Sequence, residues 1–174
     1  MTQEEKIAIA ETVRHRDRFG PVSQEELAAL SGKETELWIQ TKNGYCVHVF
    51  EERPEALPDR APILLNFHGG GFLKGRTDRE RRYCCAVMEA TNALVWDVDY
   101  SLAPEKPFPY AAEESYGIIQ YVFEHAEELC IDPEKIMLAG HSAGGNLVAS
   151  ALVKNAETKA FHPCCALMEY FPTD

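Results

Sequence analysis

The sequence predicts an α/β fold in which a mostly parallel sheet carries helices on both faces. A strong hairpin signal, Asn43-Gly44, separates two strand-like runs at residues 37–39 and 45–50. Three units of a short apolar strand followed by a helix come next, and a final strand follows at residues 165–170. Strands that alternate with helices pair in parallel, and such sheets bind ligands at the carboxyl ends of their strands.

The boundaries of the elements follow from local patterns. Strands are expected at residues 63–67, 93–98 and 136–139, and helices near residues 79–90, 111–128 and 143–155. The first 32 residues are expected to form two helices, because Thr2 with Glu5 and Ser23 with Glu26 have the spacing of a capping box. Phe19-Gly20-Pro21 separates these helices. We therefore divide the chain into N-terminal helices at residues 1–34 and a sheet domain at residues 35–174.

Composition excludes several classes of function. The chain has 174 residues and a formal net charge of -11, which opposes binding to nucleic acid. No apolar run approaches the length of a membrane span, and the N-terminus lacks the apolar region of a signal peptide. The six cysteines show no metal-ligand spacing. We expect a cytoplasmic protein with reduced cysteines, no metal, no cofactor, no nucleic-acid partner and no membrane span.

The strongest motif is Gly140-His141-Ser142-Ala143-Gly144, which matches G-x-S-x-G between a predicted strand and a predicted helix. On such a turn the serine oxygen projects into a site, and the turn leaves no room for side chains at the two glycines. The N–H of the residue after the serine then faces the oxygen that becomes negative during acyl transfer. The alternative is a chance glycine-rich turn between a strand and a helix.

A second motif, His68-Gly69-Gly70-Gly71-Phe72, follows the first parallel strand. Glycines allow the backbone to approach a substrate and to direct N–H groups towards it. A phosphate-binding loop is the alternative, but the Gly-Lys-Ser/Thr and G-x-G-x-x-G signatures are absent from this motif. His68 is expected to organise the loop rather than act as a base, and His141 is expected to point away from the pocket.

With these two motifs and the run Asp-Tyr-Ser-Leu-Ala-Pro-Glu-Lys-Pro-Phe-Pro at residues 99–109, the chain resembles the hormone-sensitive-lipase-like branch of the α/β-hydrolase fold, which includes bacterial acetyl esterases and carboxylesterases. The resemblance runs from about residue 35 to the end. It implies a hydrolase of small carboxylic esters. Two positions depart from the family pattern, because His141 replaces the usual Asp and Ser101 the usual Arg.

The resemblance also implies roles for individual residues. Ser142 would be the nucleophile, and the oxyanion hole would be formed by Gly70, Gly71 and Ala143. The supporting motif positions would be His68, Gly69, Gly140 and Gly144. Residues 99–109 would hold the glycine loop in place, and the helices of residues 1–34 would form part of a cap over the acyl pocket.

No good candidate for the catalytic base or acid is found. In this fold the acid and then the histidine follow the serine along the chain. His162 and Glu157 are expected at the opposite end of the sheet from Ser142, beyond a helix roughly 18 Å long. Asp174 is expected on the correct side, but one strand earlier than the family's acid. The histidines of the N-terminal helix, the hairpin and the covering helix are expected to be solvated or packed; they are His15, His48 and His125.

The resemblance also implies two further strands with their helices, which we expect to be absent from this sequence. The final strand at residues 165–170 is therefore expected to be an open, apolar edge that favours self-association. We expect a C-terminally truncated esterase that is nearly inactive alone. The alternatives are a non-catalytic binding module and a fragment that needs a second polypeptide to complete its triad.

Overall fold

The computed structural model describes residues 1–16 and 20–172. Phe19, at the predicted boundary between the first two helices, and Asp174, the possible acid, lie outside the described residues. The elements in chain order are α1 (Gln3–Arg14), α2 (Gln24–Ala28), β1 (Lys33–Gln40), β2 (Cys46–Arg53), β3 (Ala61–Phe67), α3 (Asp78–Thr91), β4 (Leu94–Asp99), α4 (Tyr110–Glu124), β5 (Ile131–His141), α5 (Ala143–Thr158) and β6 (Cys165–Glu169). Both predicted capping boxes, at Thr2 and at Ser23, are present.

The strands form one sheet in the order β1-β2-β4-β3-β5-β6. Strands β4, β3, β5 and β6 pair in parallel, and the hairpin β1-β2 joins them antiparallel through β4. The mostly parallel sheet is therefore as predicted. Because the carboxyl ends of β3, β4 and β5 meet at one edge, the segments that follow these three strands lie next to one another.

Helices cover both faces of the sheet, as predicted. Alternate strand residues such as Leu65 and Leu138 join the larger core, which α4 and α5 cover with residues that include Ile119 and Leu147. The residues between them on the strands, such as Leu64, face a smaller core beneath α3. This alternation follows from the two-residue period of a strand, which sends successive side chains to opposite faces. Among the described helices, none combines the length and the apolar character that crossing a bilayer requires.

Several predicted boundaries are wrong by a few residues. Strand β1 begins at Lys33 instead of residue 37, and β2 continues to Arg53 instead of residue 50. Strand β5 begins at Ile131 instead of residue 136, because Ile131 pairs with Ala61 before the register shifts. Helix α4 ends at Glu124 instead of residue 128, and α5 continues to Thr158 instead of residue 155. Lys159, the C-cap residue that follows α5, adopts the left-handed conformation. No sequence signal marks the ends of these two helices, since neither is followed directly by the Gly or Pro that usually stops a helix.

Strand β6 forms the edge of the sheet on the side of β5, as predicted. Among the described residues it pairs with β5 alone, in a parallel register that matches Met137 with Cys165 and His141 with Glu169. Leu167 is 50% exposed, and Tyr170 just beyond the strand is 76% exposed. The edge is thus open and partly apolar, and its outward N–H and C=O groups can pair with another strand.

Candidate active site

Ser142 occupies a sharp turn between β5 and α5. Its backbone has φ 51° and ψ -114°, a conformation that L-residues rarely adopt. The Ser142 N–H donates to the carbonyl of Glu169 at 2.9 Å, and the Ser142 carbonyl accepts the N–H of Asn146 at 3.1 Å. The end of β6 and the first turn of α5 therefore hold the strained residue from both sides.

The glycines beside Ser142 are required by close backbone approaches, as the motif predicts. A Cβ atom on Gly144 would lie 1.8 Å from the carbonyl oxygen of Phe67 and 2.6 Å from that of His68. A Cβ atom on Gly140 would lie 2.4 Å from the carbonyl oxygen of Gly144. The first turn of α5 therefore packs directly on the end of β3, where the glycine loop begins.

The glycine loop, residues 68–72, lies against the serine turn. A Cβ atom on Gly69 would lie 3.5 Å from the Cβ of Ser142. Gly70 has φ 129°, and a Cβ there would meet the carbonyl oxygen of Lys74 at 2.5 Å, whereas Gly71 has φ 63° and faces open space. The Gly70 carbonyl accepts the N–H groups of Leu73 and Lys74 at 3.2 and 3.1 Å, which closes the loop into a turn.

The segment after β4 supports this loop, which agrees with the expected structural role of residues 99–109. The Tyr100 hydroxyl donates to the His68 carbonyl at 2.7 Å, and the Ala103 N–H donates to the Phe72 carbonyl at 2.9 Å. The rings of His68 and Tyr100 stack with their centroids 4.2 Å apart. These contacts fix both ends of the glycine loop.

His68 is fully buried, and its ring has one hydrogen-bonded acceptor and one carboxylate at longer range. Nδ1 lies 2.7 Å from the Gly69 carbonyl, and Nε2 lies 3.6 Å from Oδ1 of Asp99. Burial acts to lower the pKa of His68, but Asp99, the Gly69 carbonyl and Asp97 together outweigh it and raise that pKa. The ring is thus enclosed behind the loop, which supports an organising role for His68 and argues against its being a mobile base.

Sequence reasoning missed an ionic cluster behind the loop. Asp97 is fully buried, and its carboxylate accepts from Arg76 Nε at 2.6 Å and from the Asn66 amide at 2.7 Å. Burial raises the pKa of Asp97 in spite of these partners. The Arg76 guanidinium also pairs with Glu34 and lies 4.0 Å from the centre of the Phe50 ring. The sequence signal that could have indicated this cluster is Asp97, a charged residue within the apolar run at 93–98.

The two departures from the family pattern have local partners. The Ser101 N–H and hydroxyl both donate to the Glu114 carboxylate at 2.6 Å, and burial raises the pKa of that carboxyl group. His141 Nδ1 lies 3.3 Å from Oε2 of Glu169, and the ring meets Tyr83 edge-on at 4.7 Å. The expectation that His141 points away from the pocket is wrong, because the residue lines the cavity described next.

A cavity of about 910 Å³ opens beside the serine turn and the glycine loop. Gly69, Gly70 and Ser142 form part of its wall, and Arg14, His15 and Arg16 at the end of α1 form another part. Its size is within the range of small-molecule sites. The turn, the loop and the N-terminal helix therefore face one shared space.

Arg14 attaches α1 to this site. Its guanidinium donates to the Leu73 and Ala103 carbonyls at 2.8 and 3.0 Å, and it pairs with Glu105 at 2.6 Å. Because Leu73 follows the glycine loop and Ala103 belongs to the supporting segment, this one side chain joins α1 to both.

His162 and Glu157 lie far from Ser142, as expected. His162 has a 74% exposed side chain, with Nε2 3.9 Å from Glu134, and the neighbouring Cys164 N–H donates to the carbonyl of Ile136. From Ile136 to Ser142 the strand extends about 20 Å. Glu157 lies near the far end of α5, roughly 20 Å from the serine turn.

The other histidines have packed or solvated positions. The His48 ring stacks on Trp38 and lies 3.1 Å from Asp99, and the His125 ring stacks on Tyr121. His15 has an 83% exposed side chain, although the residue stands at the rim of the cavity, which was not expected. Within residues 1–16 and 20–172, no side chain is hydrogen-bonded to the Ser142 hydroxyl, and no cluster of three potential ligands could hold a metal ion.

Comparison with known proteins agrees with this geometry. A family model described as the alpha/beta hydrolase fold matches residues 64–171, which is more than half of the chain. The esterase LipI of Mycobacterium tuberculosis is 35% identical over 122 residues, which are 69% of this chain and 38% of that protein. Human hormone-sensitive lipase is 36% identical over 104 residues, which are 60% of this chain and 10% of that protein.

A solved structure described as a bacterial heroin esterase superposes with a TM-score of 0.79 at 29% sequence identity, covering 99% of this chain and 53% of that one. The chain thus spans about two fifths of the length of the mycobacterial relative and about half of the solved esterase. The matched family, the relatives and the six-stranded sheet agree: this chain belongs to the α/β-hydrolase-fold family, in the branch that includes hormone-sensitive lipase and carboxylesterases.

Proposed function

We propose that this chain carries the nucleophile and the oxyanion hole of a serine carboxylic-ester hydrolase that acts on small acyl esters. The observation that carries the proposal is the strained Ser142, held against the glycine loop at the wall of the 910 Å³ cavity. Strain of this kind persists where the surrounding structure enforces it, and it is concentrated at functional sites.

In the proposed reaction the Ser142 oxygen attacks the ester carbonyl, the alcohol leaves, and water then hydrolyses the acyl-enzyme. The negative oxygen of each tetrahedral intermediate would accept hydrogen bonds from the N–H groups of Gly70, Gly71 and Ala143. Ala143 is the first residue of α5, so its N–H has no partner within the helix and lies at the positive end of the helix dipole. No metal or cofactor takes part in this scheme.

The cap and the cellular compartment belong to the same proposal. Residues 1–34 would act as part of a cap, which the attachment of α1 through Arg14 supports. The cytoplasm would be the compartment, which the free thiols of Cys46, Cys130, Cys164 and Cys165 at exposed positions support.

We further propose that the chain has almost no activity by itself. A serine hydroxyl is a weak nucleophile unless a base accepts its proton, and the described residues offer Ser142 no such acceptor. In a comparable triad, loss of the base lowers kcat by about 10⁶ and leaves roughly 10³–10⁴ over water. The same unpartnered hydroxyl favours a second function: a module that binds esters or acids without turning them over, or that is completed by another polypeptide.

The test compares the purified chain with its Ser142→Ala variant, using p-nitrophenyl acetate turnover and fluorophosphonate labelling. We expect indistinguishable rates and little labelling of either protein. Robust turnover that disappears in the alanine variant would contradict the predicted inactivity and would establish serine catalysis. Substitution of His68, His141 and His162 in turn would then identify the base. If a polypeptide supplying an Asp and a His restored turnover only when Ser142 is present, the proposed hydrolase would be supported.

A further inference from the structure

The charge of the cavity wall is opposite to that of the whole chain. The chain has 17 Lys and Arg residues against 28 Asp and Glu residues. The wall instead has two carboxylate residues, Glu80 and Glu169, against a larger set of cationic side chains: Arg14, Arg16, Lys74, Arg76 and Arg79. A concave site lined by one sign of charge concentrates ligands of the opposite sign.

Both acidic residues of the wall are already engaged. The Glu80 carboxylate caps the start of α3, where it accepts the Thr77 N–H at 3.0 Å and also the Thr77 hydroxyl. The Glu169 carboxylate lies 3.3 Å from Nδ1 of His141. Both carboxylates therefore already have hydrogen-bond partners within the wall.

Two of the cationic residues are neutralised from outside the cavity. Arg14 pairs with Glu105, and Arg76 pairs with Asp97, and neither carboxylate belongs to the wall. These arginines fix the wall in place but add little net charge to it.

Lys74 differs from these arginines. Its ammonium group donates to the Arg16 carbonyl beyond α1 and meets no carboxylate among the residues that the structure describes. The backbone of Lys74 packs on Gly70, since a Cβ at Gly70 would lie 2.5 Å from the Lys74 carbonyl oxygen. The Lys74 backbone thus lies next to the proposed oxyanion hole, and its unmatched ammonium extends towards the end of α1 at the cavity wall. The Arg16 side chain, also part of the wall, likewise has no carboxylate partner among the described residues.

We propose that this cavity selects esters that carry a carboxylate on their acyl or alcohol group, and that Lys74 binds that carboxylate. This inference rests on the proposed function for the reaction itself, but the charge preference is a property of the cavity that does not require turnover. Lys74 is suited to the role because its flexible ammonium can exchange one backbone acceptor for a charged one.

The experiment measures the binding of two closely related probes, monomethyl succinate with one free carboxylate and dimethyl succinate with none. The host is the Ser142→Ala variant of the full chain, so that neither probe is consumed. Binding is followed by isothermal titration calorimetry and by NMR shifts. A hydrogen bond between two charged groups predicts about a tenfold preference for monomethyl succinate at low salt.

Two further substitutions in the same host locate the preference. Lys74→Met should abolish it, whereas Lys74→Arg should keep most of it. The matched control is Lys135→Met, which removes one positive charge from an exposed side chain that pairs with Asp132 at the opposite end of the sheet. This control should keep the full preference. Equal affinity for the two probes, or a preference that survives Lys74→Met, would overturn the inference.

Thermal melting will show whether Lys74→Met is folded. If it is not, a salt titration of the Ser142→Ala host tests whether the preference for monomethyl succinate is electrostatic. Raising NaCl from about 0.05 to about 0.5 M should remove most of the preference, because screening weakens the attraction between partly exposed charges. A preference that is insensitive to salt would overturn the inference. Failure of this inference leaves the serine hydrolase proposal intact. Conversely, a carboxylate preference together with no Ser142-dependent turnover, even when a polypeptide supplying an Asp and a His is added, would remove the hydrolase proposal alone.

Discussion

Replacement of Gly144 by alanine sets helix propensity against steric overlap. Gly144 is in the first turn of α5, and in a helix interior alanine is more favourable than glycine by about 1 kcal/mol. Propensity alone therefore predicts that the variant is more stable. The structure predicts the opposite, because the new Cβ would lie 1.8 Å from the carbonyl oxygen of Phe67 and 2.6 Å from that of His68.

The magnitude follows from what would have to move. Both clashing atoms are backbone carbonyls at the junction of β3 and the glycine loop, so no side chain can rotate to relieve the overlap. Overpacking of a well-packed site costs about 1–3 kcal/mol, and a backbone clash belongs at the upper end of that range or beyond it. For a chain of this length, a loss of about 3 kcal/mol lowers Tm by roughly 6–12 °C.

The measurement is thermal unfolding followed by circular dichroism and calorimetry, with Gly75→Ala as the matched control. A Cβ on Gly75 would meet Leu102 and Asp99 at 3.6 and 3.7 Å, which are ordinary contact distances, and the residue lies just beyond the same loop. The control should leave Tm within about 2 °C of the unsubstituted chain. A Gly144→Ala variant as stable as the unsubstituted chain would refute the close approach of α5 to β3.

Two other predictions concern the sheet. The chain should self-associate through the open edge of β6. Leu167→Lys places a charge on that edge and should shift sedimentation velocity profiles towards monomer. A monomeric unsubstituted chain would contradict this prediction. Burial and the neighbouring Glu34 raise the pKa of Glu52 from 4.5 to about 7, so between these pH values the folded chain keeps a proton that the unfolded chain releases. The free energy of unfolding should therefore fall as pH rises across that interval. Urea titrations at several pH values should show a smaller fall in the free energy of unfolding for Glu52→Gln than for the unsubstituted chain. Equal falls in both proteins would disprove the raised pKa of Glu52.

Much of the fold could be predicted because its signals are local. The capping boxes at Thr2 and Ser23, the Asn43-Gly44 turn and the apolar strand runs each act within a few residues of chain. The serine turn could be predicted for the same reason, since Gly140, Ser142 and Gly144 are close in sequence and Gly140 is required by a contact within the turn. The requirement for glycine at 144 instead comes from the carbonyl groups of Phe67 and His68, which are distant in sequence.

The surroundings of the serine turn could not be predicted from local sequence patterns, because they depend on which strands become neighbours. The pairing of Arg76 with Asp97, the contact of His141 with Glu169 and the attachment of α1 through Arg14 all join distant parts of the chain. Alternation and propensity carry no information about strand order or about where a helix docks. The sequence therefore determined the serine turn and the glycine loop as separate motifs. Their contact, and the cationic cavity that they share with α1, arise only when the β3-β5-β6 order brings the carboxyl ends of these strands together.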